Sequence, residues 1–583
     1  MSLGKTQEPP MANLSRFFPP LTWGRAYSRD DLRGDLQGGL TTAVMLIPQG
    51  MAYAMLAGLP PIVGLYASLV PLIVYALLGT SRQLAVGPVA MVSLLVASGV
   101  GALVEQGTDM YLAYAVMLMV MVGGLQLVMG LGRLGFLVNF LSHPVLSGFT
   151  SAAALIIGLS QLKHLLGVNI PRSHHVHEIV LNAVNQVGDI NAITVGIGVA
   201  SVVVLVVLKK VAPRFPRALA VVVGGTLAVW GLGLNDMGVK IVGDVPAGLP
   251  AMAVPSLDMG VMKELLPTAL TIALVGFMES IAVARAFARR HKYEVDANQE
   301  LVGLGAANLL GSLFGGYPVT GGFSRTAVND QAGSKTPAAA IVTAVVIGLT
   351  LLFLTPLFHF LPKAVLAAII MTAVFGLIDI AEVKHLWQVD RADLVLLTIT
   401  FFATLGFGIE QGILAGVGAS MLWFVVRSTR PHYAVLGRVG DAGVWRNVAR
   451  EQDARPVEGV LAVRMDAPFY YGNVSFLKDT LKKLEADAVQ KEGGPLRALV
   501  LDATAMNELD SSAAGAMVEL CDDFCARGVP FYLAGVKGPV MDTLRKAHLV
   551  EKIGEDHLPL RVEDAVRHAL GEEVPKHPLL AAS

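Results

Sequence analysis

Apolar segments follow one another almost without pause from Leu40 to Val426, and short polar or glycine-rich turns punctuate them. A helix that crosses a bilayer needs about 20 mostly apolar residues. On that measure the pattern predicts full-length membrane helices over 38–56, 61–79, 111–131, 145–165, 191–209, 217–234, 265–287, 298–315, 337–357, 364–380, 392–409 and 411–427. Two more apolar stretches are short and flanked by glycine: Val86 to Val100, and a stretch opening at Gly322. Together they make about fourteen elements. After Arg427 the pattern changes. Short apolar runs at Val460–Val463, Ala498–Leu501 and Phe531–Ala534 alternate with helical patterns at Val474–Ala486, Ser512–Cys525, Val540–Ala547 and Val562–Ala569. That alternation predicts a sheet with covering helices.

Composition agrees with this division. Only 15% of the 583 residues are charged and 54% are hydrophobic, whereas a soluble globular protein carries about 25% charged residues. The expected organisation is a cytoplasmic N-terminal segment over 1–35, a transmembrane domain over 36–428, a linker over 429–455, a soluble α/β domain over 456–572 and a tail over 573–583. With a cytoplasmic N-terminus, the inner loops collect Arg82, Arg133, Lys209, Lys210, Arg289, Arg290, Lys292, Lys384 and Arg391, while the outer loops keep few cations. This is the positive-inside pattern, and fourteen crossings return the C-terminus to the cytoplasm. No apolar core followed by a small-residue cleavage site precedes Leu40, so no cleaved signal peptide is expected.

Several function classes recede at this point. A net charge of −1 argues against nucleic-acid binding. The two cysteines, Cys521 and Cys525, lie one helical turn apart in the soluble part and read as packed thiols in a reducing compartment. No Walker-type loop, nucleophile–base constellation or metal-ligand cluster is visible, so neither an enzyme nor a cofactor is expected. His174, His175 and His177 lack a supporting acid or cysteine set beyond Glu178 and read as an external loop. The basic run Phe287–Lys292 reads as a positive-inside anchor.

The halves of the apolar region repeat weakly. "VGLYA" (Val63–Ala67) matches "VGLGA" (Val302–Ala306), and each leads to a glycine, Gly79 or Gly315, and then to one of the short elements. Upstream, "PQGMAYA" (Pro48–Ala54) aligns with "MESIAVA" (Met278–Ala284), pairing Gln49 with Glu279. Seven elements per half is odd, so the second half enters from the opposite side. Such inverted repeats mark secondary transporters, whose sites lie where interrupted helices meet at mid-membrane. A helix that begins inside the membrane offers unpaired N–H groups and its positive dipole end. Two such starts together make an anion site. Gly87-Pro88 marks one start, with proline suited to the first turn, and Gly321-Gly322 marks the other, with Ser324 available as a cap or direct donor. Arg325 adds a positive charge whose cost at membrane depth an anion offsets.

These residues resemble a known family. "IPQGMAYAMLAGLPPIVGLYASLVPLIVYALLGTSRQLAVGPVA" (Ile47–Ala90), "GFMESIAVARAFA" (Gly276–Ala288) and "GGFSRTAVN" (Gly321–Asn329) resemble membrane motifs of the sulfate permease family. "LVLDATAMNELDSSAAGAM" (Leu499–Met517) resembles its cytoplasmic STAS domain. The resemblance covers about residues 12–570. It implies a polytopic α-helical fold of 7+7 inverted repeats divided into core and gate domains, a homodimer, and elevator-type movement of the core. It also implies a substrate site built from Gln49 and Tyr53, the backbone at Pro88, Val89 and Ala90, Glu279, and Phe323, Ser324 and Arg325. In anti-sigma-antagonist relatives a serine at the position of Ser511 is phosphorylated. Here Asp510 and Ser511 also fit a helix cap, which is the simpler role.

Glu279 lies deep in an apolar segment, where an ionised carboxylate is costly, so it is expected to take up a proton near neutral pH. Proton–anion symport is the expected mechanism, with the proton preferred to sodium because sodium-driven relatives carry an aspartate here. A structural Glu279–Arg325 ion pair is the competing role. The expected substrate is a small inorganic or organic anion, sulfate first, with bicarbonate or a dicarboxylate as rivals. An uncoupled anion channel and a non-transporting voltage-responsive protein are alternatives of another class. The expected setting is the plasma membrane, in contact with lipid.

Overall fold

The computed structural model describes residues 19–25, 27–136, 142–168, 181–182, 185–212, 215–440, 443–492 and 494–572. The chain forms two compact units, Met1–Ser420 and Met421–Ser583.

The first half of the membrane region contains α1 (Arg29–Ala57), α2 (Pro61–Tyr66), α3 (Val70–Leu78), β1 (Val86–Gly87), α4 (Ala90–Gly101), α5 (Asp109–Leu131), α6 (His143–Ser160), α7 (Leu162–Leu166), α8 (Ala192–Val211) and α9 (Arg217–Leu232). The second half contains α10 (Met259–His291), α11 (Ala297–Ser312), β2 (Thr320–Gly321), α12 (Phe323–Gln331), α13 (Ala338–Leu349), α14 (Lys363–Val374), α15 (Ile380–Val389), α16 (Arg391–Phe407) and α17 (Ile409–Thr429). Among the described residues, nine helical segments are long and apolar enough to cross a membrane. Each predicted full-length segment coincides with a helix or a broken pair of helices, and the two short stretches become α4 and α12.

Local chemistry fixes several boundaries. Ser28 and Asp31 form a reciprocal capping box at the start of α1, and Gly58, at φ 85°, ends it in the left-handed region. Asp258 caps α10 by accepting from the Gly260 and Val261 N–H groups. At 12 and 9 residues, α4 and α12 span only about 18 and 14 Å, so neither crosses alone. Their polar ends must be satisfied inside the protein.

Close packing depends on small residues, as expected where lipid removes the hydrophobic incentive for helices to associate. The backbones of α5 and α11 meet at Gly123 and Gly305. A Cβ on Gly305 would fall 2.6 Å from the Leu127 nitrogen, and one on Gly123 2.7 Å from the Leu309 nitrogen. Gly305→Leu is therefore expected to cost about 3 kcal/mol or more through overpacking. Thermal melting of the detergent-purified variant checks this, and an unchanged midpoint would show that the helices can separate freely.

One buried carboxylate pins a loop that leads to the short helix α4. Glu300, fully buried at the start of α11, accepts from the Tyr75 hydroxyl, the Thr80 N–H and the Thr80 hydroxyl, each at 2.7 Å, and from the Ser81 N–H at 3.1 Å. Its removal strands four donors where water is scarce. Glu300→Ala should destabilise by about 3 kcal/mol or more, whereas Tyr75→Phe removes one bond and should cost about 1 kcal/mol. Equal melting midpoints for the two variants would contradict this account. Asp35 plays a similar part for the loop after α12, accepting from the Lys335 and Thr336 N–H groups at 2.8 and 2.9 Å.

In the C-terminal unit, β3 (Tyr433–Val439), β4 (Val444–Asn447), β5 (Ala454–Arg455), β6 (Val460–Met465), β7 (Ala498–Asp502) and β8 (Phe531–Ala534) form one sheet. Its order is β4-β3-β6-β7-β8, with β5 beside β3. β6, β7 and β8 are parallel, and β3 is antiparallel to β6. Leu461, Val463, Leu499, Leu501, Phe531 and Leu533 belong to one core. Val460, Ala462, Ala498, Val500 and Tyr532 belong to another. Both faces are buried, which explains the unbroken apolar runs. The helices are α18 (Val474–Glu492), α19 (Ser511–Ala526), α20 (Gly538–Lys546), α21 (Leu549–Ile553) and α22 (Val562–Ala569). The stretch expected as a linker, 429–455, contains β3 and β4; their alternating, partly exposed residues lack the apolar run that marks a central strand. Asp510 caps α19 by accepting from the Ala513 N–H, so Ser511 is its first residue rather than its cap.

Candidate functional site

The two short helices are joined at their starts. β1 and β2 pair antiparallel, Val86 opposite Gly321 and Gly87 opposite Thr320. α4 begins three residues after Gly87 and α12 two after Gly321, so both positive dipole ends emerge beside one small ladder. The ladder is anchored from the side. The Gly321 N–H donates to the Ser280 hydroxyl at 2.8 Å, and the Thr320 hydroxyl donates to the Gly276 carbonyl at 2.5 Å. Asn308 grips the approach to β2: its Oδ1 accepts from the Val319 N–H at 2.9 Å and its Nδ2 donates to the Val319 carbonyl at 3.1 Å.

Arg325 lies in the first turn of α12 and is 1% exposed. Its Nη1 donates to the Pro88 carbonyl, just before the start of α4, so one guanidinium links both helix starts. Among the described residues its Nε and Nη2 have no hydrogen-bond partner. Gly322 makes room for it, since a Cβ there would lie 3.0 Å from Nη2. Gln49, on α1, is buried, and among the described residues its Oε1 is unpartnered, as is the Oε2 of Glu279, on α10 beside Ser280. Buried polar atoms without partners are rare in folded proteins. Tyr53 and Val89 are buried, as is Ala90 at the first position of α4. Tyr53 and Glu279 both lie close enough to Arg325 to act on it electrostatically. Glu279 and Arg325 nevertheless form no direct ion pair.

Two local expectations need correction. The N-cap of α12 is Gly322, and Ser324 makes no cap bond but lies exposed at the second helical position. With an extended Gly322 as the cap, the serine lies two residues too late to fill that position. Pro88 lies before Val89, the N-cap of α4, and not in its first turn, so it sets the entry to the helix. Phe323 is 59% exposed and packs against Phe287 at 6.1 Å between ring centroids.

Other features have structural partners. Arg290 and His291, in the basic run, meet Asp330 of α12 at 2.9 and 2.5 Å, so that run also ties α10 to α12. Cys521 and Cys525 are free thiols, with sulfurs 3.9 Å apart. Met117, Met119 and Met121 are buried packing residues. Among the described residues no three His, Cys, Asp or Glu side chains cluster as a metal site. His174, His175 and His177 lie outside the described residues.

Sequence reading did not single out Ser280, Asn308, Tyr317 or Thr320. Tyr317 is buried, with its hydroxyl 3.0 Å from that of Ser93 on α4. The available signal was an uncommon polar side chain within an apolar run, as with Asn308 in "GAANLLGS".

Comparison with known proteins places this geometry in a family. Residues 32–400 match the sulfate permease family, and residues 451–566 match the STAS domain. The chain is 41% identical over 574 residues to the chloroplastic sulfate transporter 4.1 of Arabidopsis thaliana, covering 96% of this chain and 83% of that one. It is 35% identical over 549 residues to a probable sulfate transporter of Mycobacterium tuberculosis, covering 94% and 97%. Among solved structures, the murine solute carrier 26 family member A9 anion transporter in its inward-facing state superposes with a TM-score of 0.88 at 26% identity, covering 98% of this chain and 97% of that one. The transmembrane domain of a cyanobacterial bicarbonate transporter gives a TM-score of 0.59 at 26% identity, covering 68% and 98%. With its apolar helices, inverted short segments and C-terminal α/β unit, the chain is a multi-pass membrane protein, not an enzyme, and belongs to the sulfate permease family.

Proposed function

We propose that this protein is a secondary active anion transporter that moves sulfate together with protons. The observation that carries the reading is the convergence at the α4 and α12 starts of a buried arginine with free N–H donors and a buried carboxyl with a free oxygen. The sulfate transporters among its relatives support the choice of anion. In this reading sulfate sits between the helix starts. It takes hydrogen bonds from first-turn N–H groups and from the free edge of Arg325, while Gln49 and Tyr53 close the side formed by α1. An ionised Glu279 repels a dianion. A protonated one carries no charge and can donate a hydrogen bond. Sulfate therefore binds best once Glu279 holds a proton, and both leave together on the other side. Because the two starts are joined, the core carries them past the gate as one body, as an elevator, within a homodimer. The STAS domain, with Ser511 exposed on α19 as a phosphosite, regulates or supports that assembly. We place the protein in the plasma membrane with both termini cytoplasmic.

The test is labelled sulfate uptake into proteoliposomes with and without an inward proton gradient. Concentrative uptake that follows the gradient supports the reading. Uptake that equilibrates regardless of the gradient would point to a channel. Failure of folded protein to take up sulfate at any pH would move the assignment to bicarbonate with sodium, which the bicarbonate-transporter relative favours as second reading, and then to dicarboxylates.

A further inference from the structure

The last membrane helix ends in a stripe that changes from apolar to cationic. Phe424, Arg427 and Arg430 follow at three-residue spacing, which places Phe424 and Arg427 on one face of α17. Leu422 and Phe424 are 65% and 67% exposed, and the helix is apolar enough to lie in a membrane. Within the C-terminal compact unit, Phe424, Arg427, Ser428, Arg430, His432 and Tyr470 help line a cavity of about 640 Å³.

The charges in this cavity do not cancel. Among the described residues neither Arg427 nor Arg430 has an ion-pair partner. The acid in the wall, Asp466, is engaged by Arg464 at 2.6 Å and by His432 at 3.0 Å. The Ser428 hydroxyl bonds that of Tyr470. Two guanidinium groups thus remain for a ligand, and guanidinium suits phosphate oxygens. An inorganic anion would satisfy the cations but leave the adjoining apolar surface bare. A molecule with both a phosphate and an acyl chain uses the whole stripe.

We propose that this cavity binds an anionic phospholipid, with Arg427 and Arg430 on its phosphate-bearing headgroup and an acyl chain along Phe424. The inference is independent of which anion the protein transports. The test follows thermal melting of the full chain in detergent on addition of short-chain phosphatidylglycerol, short-chain phosphatidylcholine or inorganic phosphate at equal concentration. Phosphatidylglycerol is expected to raise the midpoint, and the other two to leave it nearly unchanged. R427Q/R430Q should weaken the apparent affinity for phosphatidylglycerol by about tenfold or more, and each single variant by part of that. Arg446→Gln, on β4 outside the cavity, should keep the wild-type response. An equal shift with phosphatidylcholine, the same shift with phosphate alone, or a full shift in the double variant would each overturn the proposal. If the double variant does not fold, the single variants and the wild-type series across the three probes still decide it.

Discussion

Glu279→Gln is expected to abolish proton-driven accumulation of sulfate while leaving sulfate–sulfate exchange in place. Glutamine keeps the size and one carbonyl of the acid and cannot ionise, so it resembles a carboxyl that permanently holds its proton. The anion can still bind and cross, but its passage no longer requires a proton. With one proton per sulfate and the membrane potential held at zero, a one-unit inward pH gradient supports about tenfold accumulation. That ratio should fall to about one in the variant. The direction with pH follows from the same logic: wild-type uptake should rise as the entry side becomes more acidic, and the variant should lose that dependence. Glu279→Asp keeps a titrating group on a shorter arm, so it should retain coupling at a reduced rate. A glutamine variant that still concentrates sulfate along the gradient would remove Glu279 from the mechanism.

The second large effect belongs to Arg325. This side chain bonds to the Pro88 carbonyl and leaves two of its nitrogens free. Arg325→Ala removes the link between helix starts and the donors offered to the anion together. Sulfate affinity should fall about 100-fold or more, since a buried charge-assisted pair is lost along with its geometry. Lysine keeps the charge but not the planar fork, and cannot hold Pro88 and an oxyanion at once. Arg325→Lys should therefore raise KM about tenfold or more with a smaller change in maximal rate. Uptake kinetics on monodisperse protein check both. The Ala85 N–H bond to the Thr326 hydroxyl at 3.1 Å and the Gly322 N–H bond to the Ala85 carbonyl at 3.1 Å remain, so the short helices should stay in place. An alanine variant with unchanged KM would sink the assigned role.

Much of this architecture was legible before the structure. Length and hydropathy sufficed for the membrane helices because lipid forces backbone hydrogen bonds to close within each segment. The short elements were visible because glycine and proline interrupt runs that otherwise continue, at Gly87-Pro88 and Gly321-Gly322. Arg325 and Glu279 stood out because charge is costly in an apolar run. What stayed hidden depends on contacts distant in sequence. Ser280 meets the Gly321 N–H across 41 residues, and Glu300 meets Tyr75 across 225. Neither spacing leaves a periodic trace. The cap of α12 was misplaced by two residues because serine is a favoured capping type, whereas here an extended glycine begins the helix. β3 and β4 were missed because mixed, half-exposed residues break up the apolar run that marks a central strand, and β4 lies at the sheet edge.

The two-residue ladder also has a consequence for biosynthesis. Val86 and Gly87 find their partners only when Gly321 and Thr320 arrive, about 234 residues later. At about 5–20 residues per second, translation leaves that interval open for roughly 10–50 s. Throughout it, the start of α4 is inside the membrane region without the strand that completes it. A nascent chain halted before residue 320 holds the apolar bulk of its first half but no finished cradle. The insertion machinery must therefore shelter an unsatisfied backbone for about two-fifths of the 583-residue chain's synthesis, and the site cannot be completed until the second half has begun to emerge.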